Sequence, residues 1–146
     1  MQMTSKFTTA VHILTCIDVF GDKMRVTSDF LSGSTGVNAV IVRNVLGQLR
    51  TAGIVETRQG SGGAHLAKPL SEITLYDIYM AIECVNSDEG LFHFHENPSA
   101  ECPVGRNIHK VMDDRLAAAQ TAMENELKSV TLADIVSDTK KIISEE

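Results

Sequence analysis

Two stretches of the chain hold side chains whose types and spacing suit chemistry. The first is RQGSGGAHLAKP, Arg58 to Pro69, with three glycines in four residues and Arg58, His65 and Lys68 around them. A phosphate-cradling loop needs GxxxxGK[ST] opening a helix, so that backbone amides and a lysine converge on the phosphates. A dinucleotide fingerprint needs a buried strand before it and a helix after. Here Gly60, Gly62 and Gly63 lead into Ala64-His65-Leu66, which reads as a strand, so neither enzyme loop fits. The alternative is a hairpin tip. Arg58, Ser61, Gly62 and His65 then face outward, where cationic and hydrogen-bonding groups on a flexible tip suit a DNA backbone or minor groove.

The second stretch, NSDEGLFHFHENPSAEC over 86–102, is acidic and histidine-bearing. His93, His95 and Glu96, with Cys102 and His109, offer imidazole and thiolate donors competent for a transition metal. A solvated polar loop is the plainer reading, so no resident metal or cofactor is expected. Cys102 precedes Pro103, a residue suited to the first turn of a helix. A thiol at that positive dipole end is stabilised as thiolate, which makes Cys102 the candidate redox sensor. Cys16 and Cys84 lie in apolar helical runs and read as core thiols. Three cysteines without a CxxC pair make neither a disulfide framework nor a zinc site, and point to a reducing, cytoplasmic setting. No Ser/His/Asp set or paired carboxylates can be placed, and Asp113 and Asp114 are adjacent on a helix and diverge, so no enzyme is expected.

The elements that must position these groups follow from periodicity. Phe7, Ala10, Val11 and Leu14 mark a helix face ended by Gly21. Thr27 or Ser28 caps a short second helix, and Gly33 to Gly36 break it. Asn38 caps a third helix burying Val42, Val45, Leu46 and Leu49, with Gly53 as its left-handed end. Two helices across a short turn form a helix-turn-helix, and strands over 54–58 and 64–67 add the wing. The third helix then exposes Asn38, Ala39, Val40, Arg43 and Asn44 near its start. These suit a major groove: Arg43 for guanine or phosphate, the asparagines for base edges, Val40 for a thymine methyl. Thr74 caps a further helix with Leu75, Ile78, Tyr79 and Ile82 inward, and Thr131 caps the last.

From Pro103 to Lys128 a helix of roughly 40 Å is expected. Ile108, Met112, Leu116, Ala119 and Met123 form one stripe and Val111, Ala118 and Ala122 a second, which suggests two packing partners. A net charge of −6 argues against a polyanion partner only if it is evenly spread. It is not: residues 1–69 hold seven Lys/Arg against four Asp/Glu, and the remainder six against fifteen. A mildly basic module precedes an acidic one. The chain has no membrane-length apolar run, and its N-terminus lacks signal-peptide zones.

The succession LRTAGIVETRQGSGGAHLAKP followed by EITLYDIYMAIE resembles the Rrf2 family of bacterial winged-helix transcription regulators, the family of the IscR, NsrR and CymR regulators. The resemblance covers residues 1 to about 84 closely and the rest more loosely. It implies a homodimer that pairs through the long helix and places two winged helices on a palindromic DNA operator. By position, Asn38 to Arg43 resemble the recognition helix, and Arg58 the wing arginine. Several relatives hold an iron-sulfur cluster on three closely spaced cysteines, and this sequence offers only Cys102 in that region.

The expected fold is mainly α with a small β-hairpin: a winged helix-turn-helix over 1–85, a sensor loop over 86–102, and a long dimerisation helix with a C-terminal helix over 103–146, packed with the first domain as one unit. The expected function is a sequence-specific, homodimeric DNA-binding repressor responsive to thiol oxidation. Two readings remain beside it: a metal- or small-ligand-responsive regulator of the same fold, and a winged-helix adaptor for protein contacts.

Overall fold

The computed structural model describes residues 4–58, 62–83 and 91–146. Six helices and a two-stranded antiparallel hairpin follow in the order α1 Ser5–Phe20, α2 Ser28–Thr35, α3 Ala39–Thr51, β1 Val55–Thr57, β2 Ala64–Leu66, α4 Leu75–Glu83, α5 Ile108–Ser129 and α6 Leu132–Ser144.

Helix α1 is central, in contact with α2, α3, α4, α6 and β2. That explains why its burial is wider than one stripe: Phe7, Ala10 and Leu14 are buried as expected, and so are Ile13, Cys16 and Ile17. Around it, Leu31, Val42, Val45, Leu49, Ile54, Ile78, Tyr79, Leu132 and Val136 close one core. Each fully buried aliphatic side chain there contributes about 1.5–3 kcal/mol.

The helix starts obey local chemistry. The Thr27 hydroxyl accepts from Phe30 N at 3.2 Å, and Asn38 Oδ1 accepts from Val40 N at 2.8 Å. Thr74 and Asp77 cap α4 reciprocally at 3.1 and 3.0 Å, and Thr131 and Asp134 do the same for α6 at 3.2 and 2.9 Å. The two capped starts are stitched together: Leu75 N donates to Val130 O at 2.9 Å and Leu132 N to Ile73 O at 2.7 Å. Gly53 closes α3 at φ +76°, as its position in the sequence requires.

Two expected boundaries are corrected. Helix α2 runs through Gly33, Ser34 and Thr35 and ends only at Gly36, whose φ of +72° is left-handed. The long helix begins at Ile108 instead of Pro103, because 103–107 form a separate turn in which Asn107 Nδ2 donates to Pro103 O at 2.7 Å. Gly105 is packed so closely on the Ser99 backbone that a Cβ there would collide with it. At 22 residues, α5 spans about 33 Å.

Candidate nucleic-acid interface

The turn between α2 and α3 is fastened by side chains. Ser32 Oγ donates to Val37 O at 2.6 Å, and Val37 N donates to the Thr35 hydroxyl at 3.2 Å. With the turn fixed and Val42, Val45, Leu46 and Leu49 buried, α3 presents its start to solvent. Val40 is 58% exposed and Ile41 40%, beside exposed Arg43 and Asn44. Asn38 is exposed with its carbonyl engaged as the cap, and Ala39 is half-buried.

The hairpin pairs Val55 with Leu66, Glu56 with His65 and Thr57 with Ala64. It is docked on the segment before α2, where Ala64 N donates to Val26 O at 3.1 Å. Gly63, at φ +83°, lets the strand approach: a Cβ there would sit 3.0 Å from Val26 O and 3.1 Å from Val26 N. The Arg25 guanidinium lies directly against the backbone of Gly62. Half-buried Ser28 opens α2 at the same junction.

These pieces enclose a cleft of about 270 Å³ between the start of α2, one flank of α3 and the wing, lined by Arg25, Thr27, Ser28, Arg43, Arg50 and Thr57 among others. Arg43 and Arg50 also border a larger groove, about 640 Å³, on the other flank with Lys6 and Asn44. No acidic side chain lines either depression among the described residues. The exposed flanks of α3 therefore sit in a field set by Lys6, Arg25, Arg43 and Arg50, on a chain whose net charge is −6. The acidic neighbours are loosely held. Arg43 meets Asp29 at 3.8 Å and Arg58 meets Glu56 at 3.2 Å, all four well exposed, and such pairs contribute about 0–1 kcal/mol. Separating either pair therefore costs little.

Of the residues singled out in the sequence, Ser28 and Arg43 share the first cleft, Arg43 and Asn44 share the second, and Asn38, Ala39 and Val40 form the start of α3 between. Gly62 and Arg58 bound the wing. His65 lines an adjoining depression with Asp22, Lys23 and Met24, which Arg25 and Gly62 also border, its Nε2 covered and without a hydrogen-bond partner. Ser61, with the rest of the tip, and Cys84 lie outside the described residues. Sequence reasoning missed Arg25, Arg50 and Lys6. Arg50 had a signal, since it follows Arg43 by two helical turns and so shares its face. Arg25 had none, because only the docking of the hairpin brings it to Gly62.

Cys102 is fully exposed, and backbone N–H groups of Gly105 and Val104 donate to its sulfur, which holds the thiol below its usual pKa. The cause is the 103–107 turn and not the helix end, since α5 starts beyond it. His93, His95 and Glu96 are exposed on the preceding loop. The Phe94 ring packs 4.2 Å from that of His109 and 5.6 Å from that of His95, so aromatic stacking joins these rings. His109 Nδ1 lies 3.2 Å from Asp113 Oδ1.

None of the residues of α5 is buried. Met123 and Leu127 pack against the core of their own chain, whereas Ile108, Met112 and Leu116 are half-buried, Val111 is 50% exposed and Ala119 is exposed. None of the helices formed by the described residues is long and apolar enough to cross a membrane.

Comparison with known proteins agrees with this geometry. The family model Rrf2, described as an iron-dependent transcriptional regulator, matches residues 3–138. YwnA of Bacillus subtilis (strain 168), which carries the name of an HTH-type transcriptional regulator, is 36% identical over 135 residues, covering 92% of this chain and 97% of its own. Among solved structures, a transcriptional regulator from Lactobacillus plantarum superposes with a TM-score of 0.76 at 24% identity, over 94% of this chain and 91% of that one. IscR of T. potens does so at 0.69 and 20%, over 97% and 90%. Among the described residues, the iron in the family description has no matching donor set. The whole chain has three cysteines, only Cys102 lies between the wing domain and α5, and no three His, Cys, Asp or Glu side chains converge on a metal position among the described residues. The helix-turn-helix, the docked hairpin and the family match over nearly the whole length make this chain a member of the Rrf2 family of transcriptional regulators, with a winged-helix, DNA-binding fold.

Proposed function

We propose that the chain acts in the cytoplasm as a homodimeric repressor that holds a palindromic operator and releases it when Cys102 is oxidised. The observation that carries the DNA contact is the convergence of Arg25, Arg43 and Arg50 on one acid-free cleft beside the exposed start of α3. In this reading α3 enters the major groove. Asn44 and Val40 touch base edges, Asn38 and Ser28 border the backbone, and Arg25, Arg50 and Lys6 neutralise phosphates on either side. Arg58 leaves Glu56 and follows the wing, with Gly62, toward the adjacent minor groove. His65 supports the wing from behind.

Dimerisation is supported by the unburied first half of α5. Its face of Ile108, Val111, Met112, Leu116 and Ala119 lacks cover from its own core and suits the same face of a second copy, while Met123 bridges to the body. An isologous pair sets two α3 helices on half-sites roughly 34–36 Å apart, one turn of DNA. Cys102 lies just before that arm. Its amide-stabilised thiolate attacks a peroxide and becomes a sulfenic acid, with the peroxide oxygen–oxygen bond breaking and hydroxide or alkoxide leaving. The new group cannot keep both amide contacts, so the 103–107 turn and the start of α5 shift.

The test is a gel shift on the DNA upstream of this protein's own gene, with reduced protein, protein treated with hydrogen peroxide, and a Cys102→Ser variant. A complex lost on oxidation in the first protein and retained in the variant is the expected result. A complex indifferent to oxidation removes Cys102 as sensor, and no complex under reducing conditions removes the operator reading.

A further inference from the structure

Between α1, the end of α2 and α6 runs an open groove of about 430 Å³. That is toward the lower end of the roughly 300–1,000 Å³ of small-molecule pockets. Its wall is apolar, built from Val11, Val19, Phe20 and Ile135, with Ile143 at 49% exposure. No Lys, Arg, Asp or Glu side chain lines it among the described residues, so a charged guest finds no fixed opposite charge there.

The polar atoms are organised. Three threonines line the groove, but their hydroxyls donate to backbone carbonyls: Thr8 to Ser5 O at 3.0 Å, Thr15 to Val11 O at 2.8 Å and Thr139 to Ile135 O at 2.7 Å. What remains is a connected set across two helices. His12 Nε2 lies 2.9 Å from Ser34 Oγ, and Ser34 Oγ lies 3.4 Å from Cys16 Sγ. A groove with one polar corner and an uncharged apolar body selects a neutral, ring-sized molecule with a single oxygen function.

We infer that this groove is a ligand site for a small neutral aromatic compound bearing one hydroxyl or carbonyl, with the oxygen at the His12–Ser34–Cys16 corner and the ring between α1 and α6. The position explains how occupancy reaches DNA. Ser34 belongs to α2, and Phe20 in the wall packs edge-on against Phe30 of α2 at 5.4 Å. The same end of α2, two residues before Ser34, carries the Ser32–Val37 bond that fixes the start of α3. A guest that moves Ser34 therefore tilts α3. This coupling rests on the regulator reading given above; binding itself does not.

The test uses p-cresol as probe and benzylamine as its cationic counterpart, with calorimetric titration of the full chain and gel shifts on the same upstream DNA. Saturable p-cresol binding is expected, with none for benzylamine. Ser34→Ala should weaken it by about tenfold through loss of the oxygen's partner, and Thr139→Phe should abolish it by filling the space. Wild-type DNA affinity should change at least about threefold with p-cresol, and that of Thr139→Phe should not. Absence of saturable binding, or binding indifferent to both substitutions, overturns the site. A change of oligomeric state in Thr139→Phe by sedimentation also overturns it, assigning the groove to a second copy. Binding that responds to both substitutions while no DNA complex forms at all overturns the regulator reading and the coupling, and leaves the site standing.

Discussion

Replacing Gly63 by alanine tests the docking of the wing quantitatively. The residue sits at φ +83°, where an L side chain costs about 1–2 kcal/mol. The added Cβ would also lie 3.0 and 3.1 Å from the O and N of Val26 and 3.2 Å from Arg25 Cγ. Two of the three are backbone atoms that cannot swing aside, which adds about 1 kcal/mol of overpacking. The expected loss is therefore about 2–3 kcal/mol in urea unfolding at fixed protein concentration. DNA affinity should fall as well, because Ala64 N and Arg25 lose their places. Gly33→Ala is the paired control. It lies inside α2 with open space around a Cβ, so the same substitution should stabilise by about 0.5–1 kcal/mol. A Gly63→Ala protein within about 0.5 kcal/mol of the parent, with unchanged hydrogen exchange at Ala64 N–H, would refute the close approach of hairpin and Val26.

Other predictions follow from single contacts. Asp134→Ala removes one half of the cap that starts α6 and should lower stability by about 1 kcal/mol, read as a shift in the urea midpoint without a change in slope. Cys102 should be alkylated by iodoacetamide with a pH midpoint lower in the folded protein than in urea, since the Gly105 and Val104 amides favour the thiolate only in the folded turn; equal midpoints would remove the activated thiol. Met112→Glu places a charge on the half-buried stripe of α5 and should shift the protein toward monomer in sedimentation while leaving its helical circular dichroism intact, whereas an unchanged dimer would move the interface elsewhere.

The caps at Thr27, Asn38, Thr74 and Thr131, the buried stripe of α3 and the left-handed Gly53 are local facts, and a reader of the sequence finds them in place. The start of α5 was not legible, because Pro103 fits a helix start as readily as the turn that Gly105 and Ser99 impose. The exposed face of α3 was legible, since hydrophobic period alone decides which of its side chains face out. The place of Arg25 was not, because it depends on the hairpin folding back onto residues more than thirty positions away in sequence. The surroundings of His65 were hidden for a related reason: strand alternation says that it points away from the core, and only the docked wing sets it in a depression with Asp22, Met24, Arg25 and Gly62.

The central claim is that the cleft of Arg25, Arg43 and Arg50 holds phosphate. Its most direct test is the affinity of the reduced protein for its upstream duplex, measured by fluorescence anisotropy across a salt series for the parent and for Arg50→Ala. Counterion release predicts a steep fall in log affinity with log salt for the parent. The slope should be shallower by about 0.9 for each phosphate contact removed, hence by about 1.8 in a dimer that loses two. An affinity indifferent to salt, or a slope that Arg50→Ala leaves untouched, would contradict the assignment of that cleft to the DNA backbone.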